Sequence, residues 1–244
     1  MKIKIVSTFS DNGYKQYGKY FVESCKKFIA TDINICLYVD DINLQSEKNI
    51  TVLKLEKSIP YLVTFKEKNK EKTFKDYKWD AVRFAHKTYA TFHAANDNLD
   101  YLIWLDGDTE IYDTITSDYL LKFLPKGNFV GYIGRDGVSE TGFLIFDMNH
   151  PSAKDFFDRY QWYYDTNEIY SLLEYHDAFV FDVVRKEFET AGKIKSYNIS
   201  PAGATKGHFN SAFEGYMIHY KGDDKSQRDS KISKALKRKT IKKI

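Results

Sequence analysis

Five apolar residues that stop at a pair of aspartates constrain this chain more than any other feature. Residues 101–105 read Tyr-Leu-Ile-Trp-Leu, and Asp106-Gly107-Asp108 follow at once. The run is too short for a helix and rich in aromatic and branched residues. That is the pattern of a strand buried on both faces, as in parallel sheets. The two carboxylates repel each other and cannot enter an apolar core without a compensating charge. A divalent cation would supply that charge, and open α/β sheets hold their ligands outside the carboxyl ends of their strands. Asp106 and Asp108 are therefore candidate metal ligands. Asp-Gly is also a common turn dipeptide, and on spacing alone a solvated acidic turn explains the segment equally well.

The rest of the chain reads as alternating strands and helices. Lys2–Phe9 is a first strand and Ser10–Gly13 a loop. Tyr17–Ile29 has apolar residues at helical spacing, Ile33–Val39 is a second strand and Ile50–Leu55 a third. This opening resembles the first half of a nucleotide-binding α/β domain, which places Thr8, at the end of the first strand, where a base and ribose bind. Lys66–Asp76 is lysine-rich without a core-forming pattern and reads as a mobile loop. Trp79–Leu99 is the longest helical pattern. On it Arg83, His86 and Lys87 share one face, from which Arg83 and Lys87 could reach a diphosphate or sugar hydroxyls. They are equally readable as solvent-facing polar residues. Ser117–Leu124 reads as a short helix, Phe129–Ile133 and Gly142–Asp147 as strands, and Ala153–Tyr164 and Ala178–Phe188 as helices. The polar turn 135–142 between two apolar strands is a candidate substrate loop. Asp177 stands where an N-cap would.

A second constellation lies near the end. Tyr216–Ile218 reads as a last short strand, and His219, Gly222 and Lys225 follow it. Imidazole ligates Mn²⁺-type metals in mixed oxygen and nitrogen sites. Glycine lets backbone approach a phosphate, and lysine supplies a point charge. A lone His in an aromatic setting is more often structural. Beside the acidic turn, however, it completes a set able to hold a metal-bound diphosphate.

These segments resemble known enzymes. Asp106-Gly107-Asp108 after an apolar strand resembles the Asp-x-Asp motif of GT-A-fold glycosyltransferases. His219-x-x-Gly222-x-x-Lys225 is similar to the motif that closes the donor site in the glycogenin-like and bacterial galactosyltransferase-like branch. Segments 79–84, 139–143 and His176-Asp177 resemble small phage and giant-virus glycosyltransferases. Ser226-Gln227 departs from the Pro-Trp usual in the glycogenin branch. The resemblance covers about residues 1–225. It implies an α/β GT-A (Rossmann-like) fold, a mixed, mostly parallel central sheet flanked by helices, with a catalytic domain over 1–222 and a basic tail over 223–244. It implies a metal-dependent transferase moving a hexosyl or deoxyhexosyl group from a nucleotide-sugar donor, UDP expected and GDP the alternative, to a glycan or other hydroxyl acceptor. Mn²⁺ or Mg²⁺ would be held by Asp106, Asp108 and His219. Thr8, Arg83, Lys87, Asp106, Gly222 and Lys225 would bind the donor. Glu140, His176 and Asp177 would face the donor sugar and acceptor, with Asp177 as base if the reaction inverts. Two alternatives remain open: a nucleotidyltransferase that makes the nucleotide sugar, and a carbohydrate-binding protein on the same fold. The first usually needs a glycine-rich basic loop after the first strand, whereas Ser10–Gly13 is acidic and holds one glycine.

Composition bounds the setting. At 244 residues, 43% hydrophobic and 16% aromatic, the chain suits one globular domain or a domain with a tail. Nineteen tyrosines and eighteen phenylalanines suit either partly wet, sugar-stacking surfaces or a core dense in aromatics. Cys25 and Cys36 match no metal or redox spacing and read as reduced thiols of a cytosolic protein. No stretch reads as a signal peptide or a membrane span. From Lys221 onward ten Lys/Arg face three Asp, a surplus of +7 within a net +3, which leaves −4 on residues 1–220. A mildly acidic body argues against a nucleic-acid groove. The basic tail suits phosphates or peripheral contact with an anionic membrane, or simply a solvated helix.

Overall fold

The computed structural model of the chain describes residues 1–72, 74, 76–200, 209–221 and 228–242. Seven strands build its central sheet: β1 Ile3–Phe9, β2 Ile33–Val39, β3 Ile50–Lys54, β4 Tyr101–Leu105, β6 Val130–Ile133, β7 Glu140–Asp147 and β8 Ser196–Asn198. They lie in the order β3-β2-β1-β4-β7-β6-β8. The first four pair in parallel, β7 is antiparallel to both β4 and β6, and β8 is parallel to β6. The sheet is thus mixed and mostly parallel, as the alternation of strands and helices requires.

The apolar run of β4 is buried on both faces because helices cover both. Leu102 and Trp104 face a layer made by the helices Pro60–Asn69, Ala81–Ala95, Ala153–Asp165 and Asp177–Thr190. Ile103 and Leu105 face the Lys19–Phe28 and Ser117–Leu121 helices and Phe209 and Phe213. Of the two explanations for the many aromatics, the dense core accounts for a large share, which lie in these clusters. Phe92, Tyr160 and Tyr164, for example, meet edge to face 5.0–6.1 Å apart. Cys25 and Cys36 are buried and unpaired.

The direction of β7 decides which side chains reach the end of β4. Leu105 pairs with Phe143 in an antiparallel register, so the amino end of β7 lies beside the carboxyl end of β4. The two strand ends therefore meet on one edge of the sheet. A separate two-stranded ribbon, β5 Thr109–Ile111 against β9 Met217–His219, sits just beyond that edge.

Several boundaries differ from the sequence reading. Ser10–Gly13 is not a loop. Ser10 caps a helix that starts at Asp11, its Oγ accepting the Gly13 N–H at 3.1 Å, and a π-helical segment Tyr14–Gly18 carries the chain into Lys19–Phe28. Lys66–Asp76 is not a loop throughout, since Lys66–Asn69 close the Pro60–Asn69 helix, which buries Leu62 and Phe65. Its lysines point outward, and its apolar residues all precede Lys66, so residues 66–76 show no apolar stripe. Glu140 and Thr141 belong to β7 rather than to the preceding turn. The boundary expected at residue 222 lies outside the described residues. Beyond it, the Arg228–Lys242 helix docks on the body through Ile232 and Ala235, which pack against Tyr112, Ile218 and Tyr220.

Candidate active site

The carboxyl edge of the sheet opens into a cavity of about 640 Å³, a size suited to a small-molecule site. Asp106 and Asp108 enter it directly from the end of β4. His219 arrives through the β5–β9 ribbon, in which Thr109 pairs with His219. The ribbon is what joins two segments separated by more than a hundred residues. Asn210 fixes the histidine backbone from the other side, accepting its N–H at 2.7 Å and donating to its C=O at 3.2 Å.

His219 Nε2 lies 2.8 Å from Asp108 Oδ1 and 3.6 Å from Asp106 Oδ2. One ligand atom from each of the three residues can be chosen so that all lie within 4.8 Å of one another. Ligands sharing one octahedral ion at 2.0–2.1 Å would sit ~3 Å apart. Two carboxylate oxygens and one imidazole nitrogen suit Mn²⁺ or Mg²⁺. Gly142 clears the space beside them: a Cβ there would stand 3.0 Å from His219 Cε1 and 3.3 Å from Asp106 Oδ2.

The ligands are held from behind. Glu140 Oε1 lies 3.3 Å from His219 Nδ1, which directs Nε2 at the aspartates. Burial would raise the Glu140 carboxyl, but hydrogen bonds from His219 and Lys221, the latter at 2.6 Å, outweigh it and hold it at about 2. Burial would likewise lower His219, but Asp108 first, then Glu140 and Asp106, raise it to about 9. Asp106 Oδ1 accepts from Trp104 Nε1 at 2.6 Å and from Lys87 Nζ at 3.1 Å, which leaves Oδ2 toward the histidine.

Lys87 is not solvent-facing. Its ammonium is buried between Asp106 and Asp177 Oδ2 at 2.8 Å, and it also donates to the Thr141 carbonyl at 2.7 Å. Burial disfavours the charge, but the two carboxylates outweigh that and raise Lys87. Asp177 is not the N-cap. His176 holds that position without a side-chain cap, and Asp177 turns inward to Lys87 and to the Thr141 hydroxyl at 2.6 Å. Its carboxyl would rise with burial but is lowered by Lys87. Asp177 thus faces a buried counter-ion, and an acid held as an anion by a cation is a weak base.

The cavity wall also carries Thr8, Arg83 and His176. Thr8 Oγ1 is buried with no hydrogen-bond partner among the described residues, the state of a group that a ligand hydroxyl would satisfy. His176 Nε2 meets Glu174 at 2.9 Å. Gly222 and Lys225 lie outside the described residues. The structure thus brings Thr8, Arg83, Lys87, Asp106, Asp108, Glu140, His176, Asp177 and His219 to one cavity.

Other wall residues went unassigned in the sequence. Tyr17, in the π-helical segment, is pushed up to about 12 by burial and by Asp108 and Asp106. Its helical spacing hid it among core positions, although π segments recur at functional sites. His86 lies one position before Lys87 and is lowered to about 4, because desolvation outweighs the pull of Asp177. Trp104 reads as a core residue of the apolar run although its indole reaches Asp106 two residues on, and Lys221 had no sequence signal because its partner Glu140 is distant in the chain.

Neither a protein-family profile nor a curated protein sequence matches the chain. Solved structures do. Mouse xyloside xylosyltransferase 1 superposes with a TM-score of 0.51 over 82% of this chain and 86% of its own, at 9% identity. The glycosyltransferase GlyE of Streptococcus pneumoniae TIGR4 gives 0.49 at 14% identity over 81% of this chain, which spans only 45% of GlyE. A glycosyltransferase involved in glycosylation of the PBCV-1 major capsid gives 0.43 at 11% identity over 96% of this chain and 99% of its own. The likeness to the xylosyltransferase is one of fold.

Proposed function

We propose that this chain, which has the GT-A fold of glycosyltransferases, is a metal-dependent enzyme that moves a sugar from a nucleoside-diphosphate donor to a hydroxyl acceptor. The observation that carries this reading is the convergence of Asp106, Asp108 and His219 on one point of the cavity wall. A divalent cation held there would offset the negative charge that grows on the leaving diphosphate. The chain's own residues do the rest. Thr8 offers its hydroxyl to the nucleoside, and Arg83 offers its guanidinium to the diphosphate or donor sugar. Lys87 fixes Asp106 and keeps Asp177 ionised. Glu140 holds His219 in the ligating tautomer.

The carboxylates on the cavity wall are all paired with cations: Asp106 and Asp177 with Lys87, Asp108 with His219, and Glu140 with His219 and Lys221. Asp177 and Glu140, both lowered by those cations, are weak bases, which favours retention at the anomeric carbon. UDP with Mn²⁺ is the expected donor half, GDP the alternative, and the basic C-terminal helix is a candidate contact for anionic phosphates. Among the described residues no helix is long and apolar enough to cross a membrane.

The test is a thermal-shift titration with UDP and with GDP, each with Mn²⁺ or EDTA, on wild type and Asp108→Ala. Stabilisation by one nucleotide that requires Mn²⁺ and disappears in the variant is the expected result. No shift with either nucleotide would end this reading.

A further inference from the structure

Residues 77–79 and 173–176 form a ledge at the rim of the cavity. The first segment is a 3₁₀ turn just before the Ala81–Ala95 helix, and the second leads into the Asp177–Thr190 helix. Three bonds of different kinds fasten them together. The Tyr175 N–H donates to the Lys78 carbonyl at 2.6 Å, Trp79 Nε1 donates to the Leu173 carbonyl at 2.9 Å, and Lys78 Nζ pairs with Glu174 at 3.0 Å. Glu174 also meets His176 Nε2. The charged groups of the ledge are therefore neutralised within it.

What the ledge turns outward is apolar. Leu173 is 82% exposed, Tyr77 47% and Trp79 39%. Single exposed apolar residues need no explanation, but a contiguous group beside a cavity marks an interaction site. Tyr77 belongs to the cavity wall as well and meets the His176 ring at 5.5 Å, so the aromatic surface is continuous with the proposed active site. The ledge joins the segment before the Ala81–Ala95 helix, which packs against β1 and β4, to the start of the Asp177–Thr190 helix, which packs against β7. A nucleoside at Thr8 and a diphosphate at the β4 end leave the ledge to the acceptor.

Resting on the proposed glycosyl transfer, we propose that this ledge is an acceptor subsite for a neutral oligosaccharide. A sugar ring at least one unit from the reacting hydroxyl stacks its C–H face on Trp79 and Tyr77. The positive C–H edges of a sugar ring complement the negative faces of aromatic rings. The tie from Trp79 to Leu173 fixes the indole before ligand arrives, which lowers the entropy lost on binding. Lys78 is paired with Glu174, so the ledge itself offers little attraction to an anionic ligand.

The experiment probes an array of neutral di- to tetrasaccharides with wild type, Trp79→Ala and Leu173→Asp, alongside the UDP and Mn²⁺ thermal shift of each protein. Both substitutions sit on exposed side chains. The expected result is capture of at least one oligosaccharide by wild type and about tenfold weaker capture by both variants, with their UDP and Mn²⁺ shift unchanged. Wild type that captures nothing, variants that capture as well as wild type, or variants that lose the nucleotide shift together with the glycan would each overturn the subsite. So would Trp79-dependent sedimentation of wild type with phosphatidylcholine vesicles, which would assign the ledge to a membrane. Trp79-dependent glycan capture without any nucleotide shift would keep the ledge and overturn only the transfer reading.

Discussion

The Lys87 ammonium lies 3.1 Å from Asp106 and 2.8 Å from Asp177, so removing it strands two carboxylates at once. Breaking a buried pair from one side costs ~3–5 kcal/mol. Lys87→Met is therefore expected to lower the Tm of the metal-free protein by roughly 10 °C, at ~2–4 °C per kcal/mol for a domain of this size. Adding Asp177→Asn should recover part of the loss, and a single variant melting with wild type would refute the clamp. His219 gives a second prediction. Its folded value of about 9 exceeds the ordinary 6.5, so its stabilisation is complete below 6.5 and is lost as pH rises through 9. Metal must displace that proton. Mn²⁺ affinity, read by electron paramagnetic resonance, is then expected to rise about tenfold per pH unit between pH 6.5 and 8.5. A flat profile would remove His219 from the ligand set. At this scale the sequence was informative where residue type and strand position coincide, as at Asp106, Asp108 and His219. It was ambiguous at Asp177, because an aspartate at a helix start reads the same whether it caps the helix or turns inward.

Strands and helices set the geometry in which those residues act. β7 runs against β4, which is why Glu140, Thr141 and Gly142 arrive at the Asp106 end instead of the opposite edge. The β5–β9 ribbon performs the equivalent task for His219. Gly142→Ala would place a methyl against both His219 and Asp106. It is expected to weaken Mn²⁺ binding about tenfold or more, as substitutions bordering metal ligands do, while Tm changes little. Unchanged Mn²⁺ affinity would show that the glycine does not shape the site. The C-terminal helix is fastened by Arg228, whose Nε donates to Glu110 Oε2 at 2.8 Å while its guanidinium lies 3.7 Å from the Tyr20 ring centroid. Tyr220 donates to the same carboxylate at 3.0 Å. In Arg228→Ala, hydrogen exchange should speed up across 228–236 with the central strands unaffected, and equal protection in both proteins would count against this anchor. Strand identity was legible from short apolar runs, nearly to the residue for β1, β2 and β4. The Pro60–Asn69 helix and the helical start at Asp11 were not, since lysines crowd one and a polar tetrapeptide opens the other.

Across the whole molecule, charge divides as the sequence implies, with −4 on residues 1–220 and +7 beyond. Juxtamembrane basic residues contribute ~1 kcal/mol each near an anionic surface and are screened by salt. Sedimentation with phosphatidylserine vesicles is therefore expected at low ionic strength, fading by 0.5 M salt and absent from a chain ending at residue 227. Equal sedimentation of the shortened chain would place the contact elsewhere.

The sequence by itself determined the alternation of strands and helices, and with it the α/β class. It also set the chemical types gathered at the carboxyl edge, because periodicity and charge act locally. Only the tertiary structure decided which groups neutralise which. Whether Lys87 meets solvent or Asp177, and which groups pair with Glu140, depends on an antiparallel strand and a two-stranded ribbon that join distant segments. Pairings of that kind are fixed by long-range packing, and no local pattern in the chain encodes them.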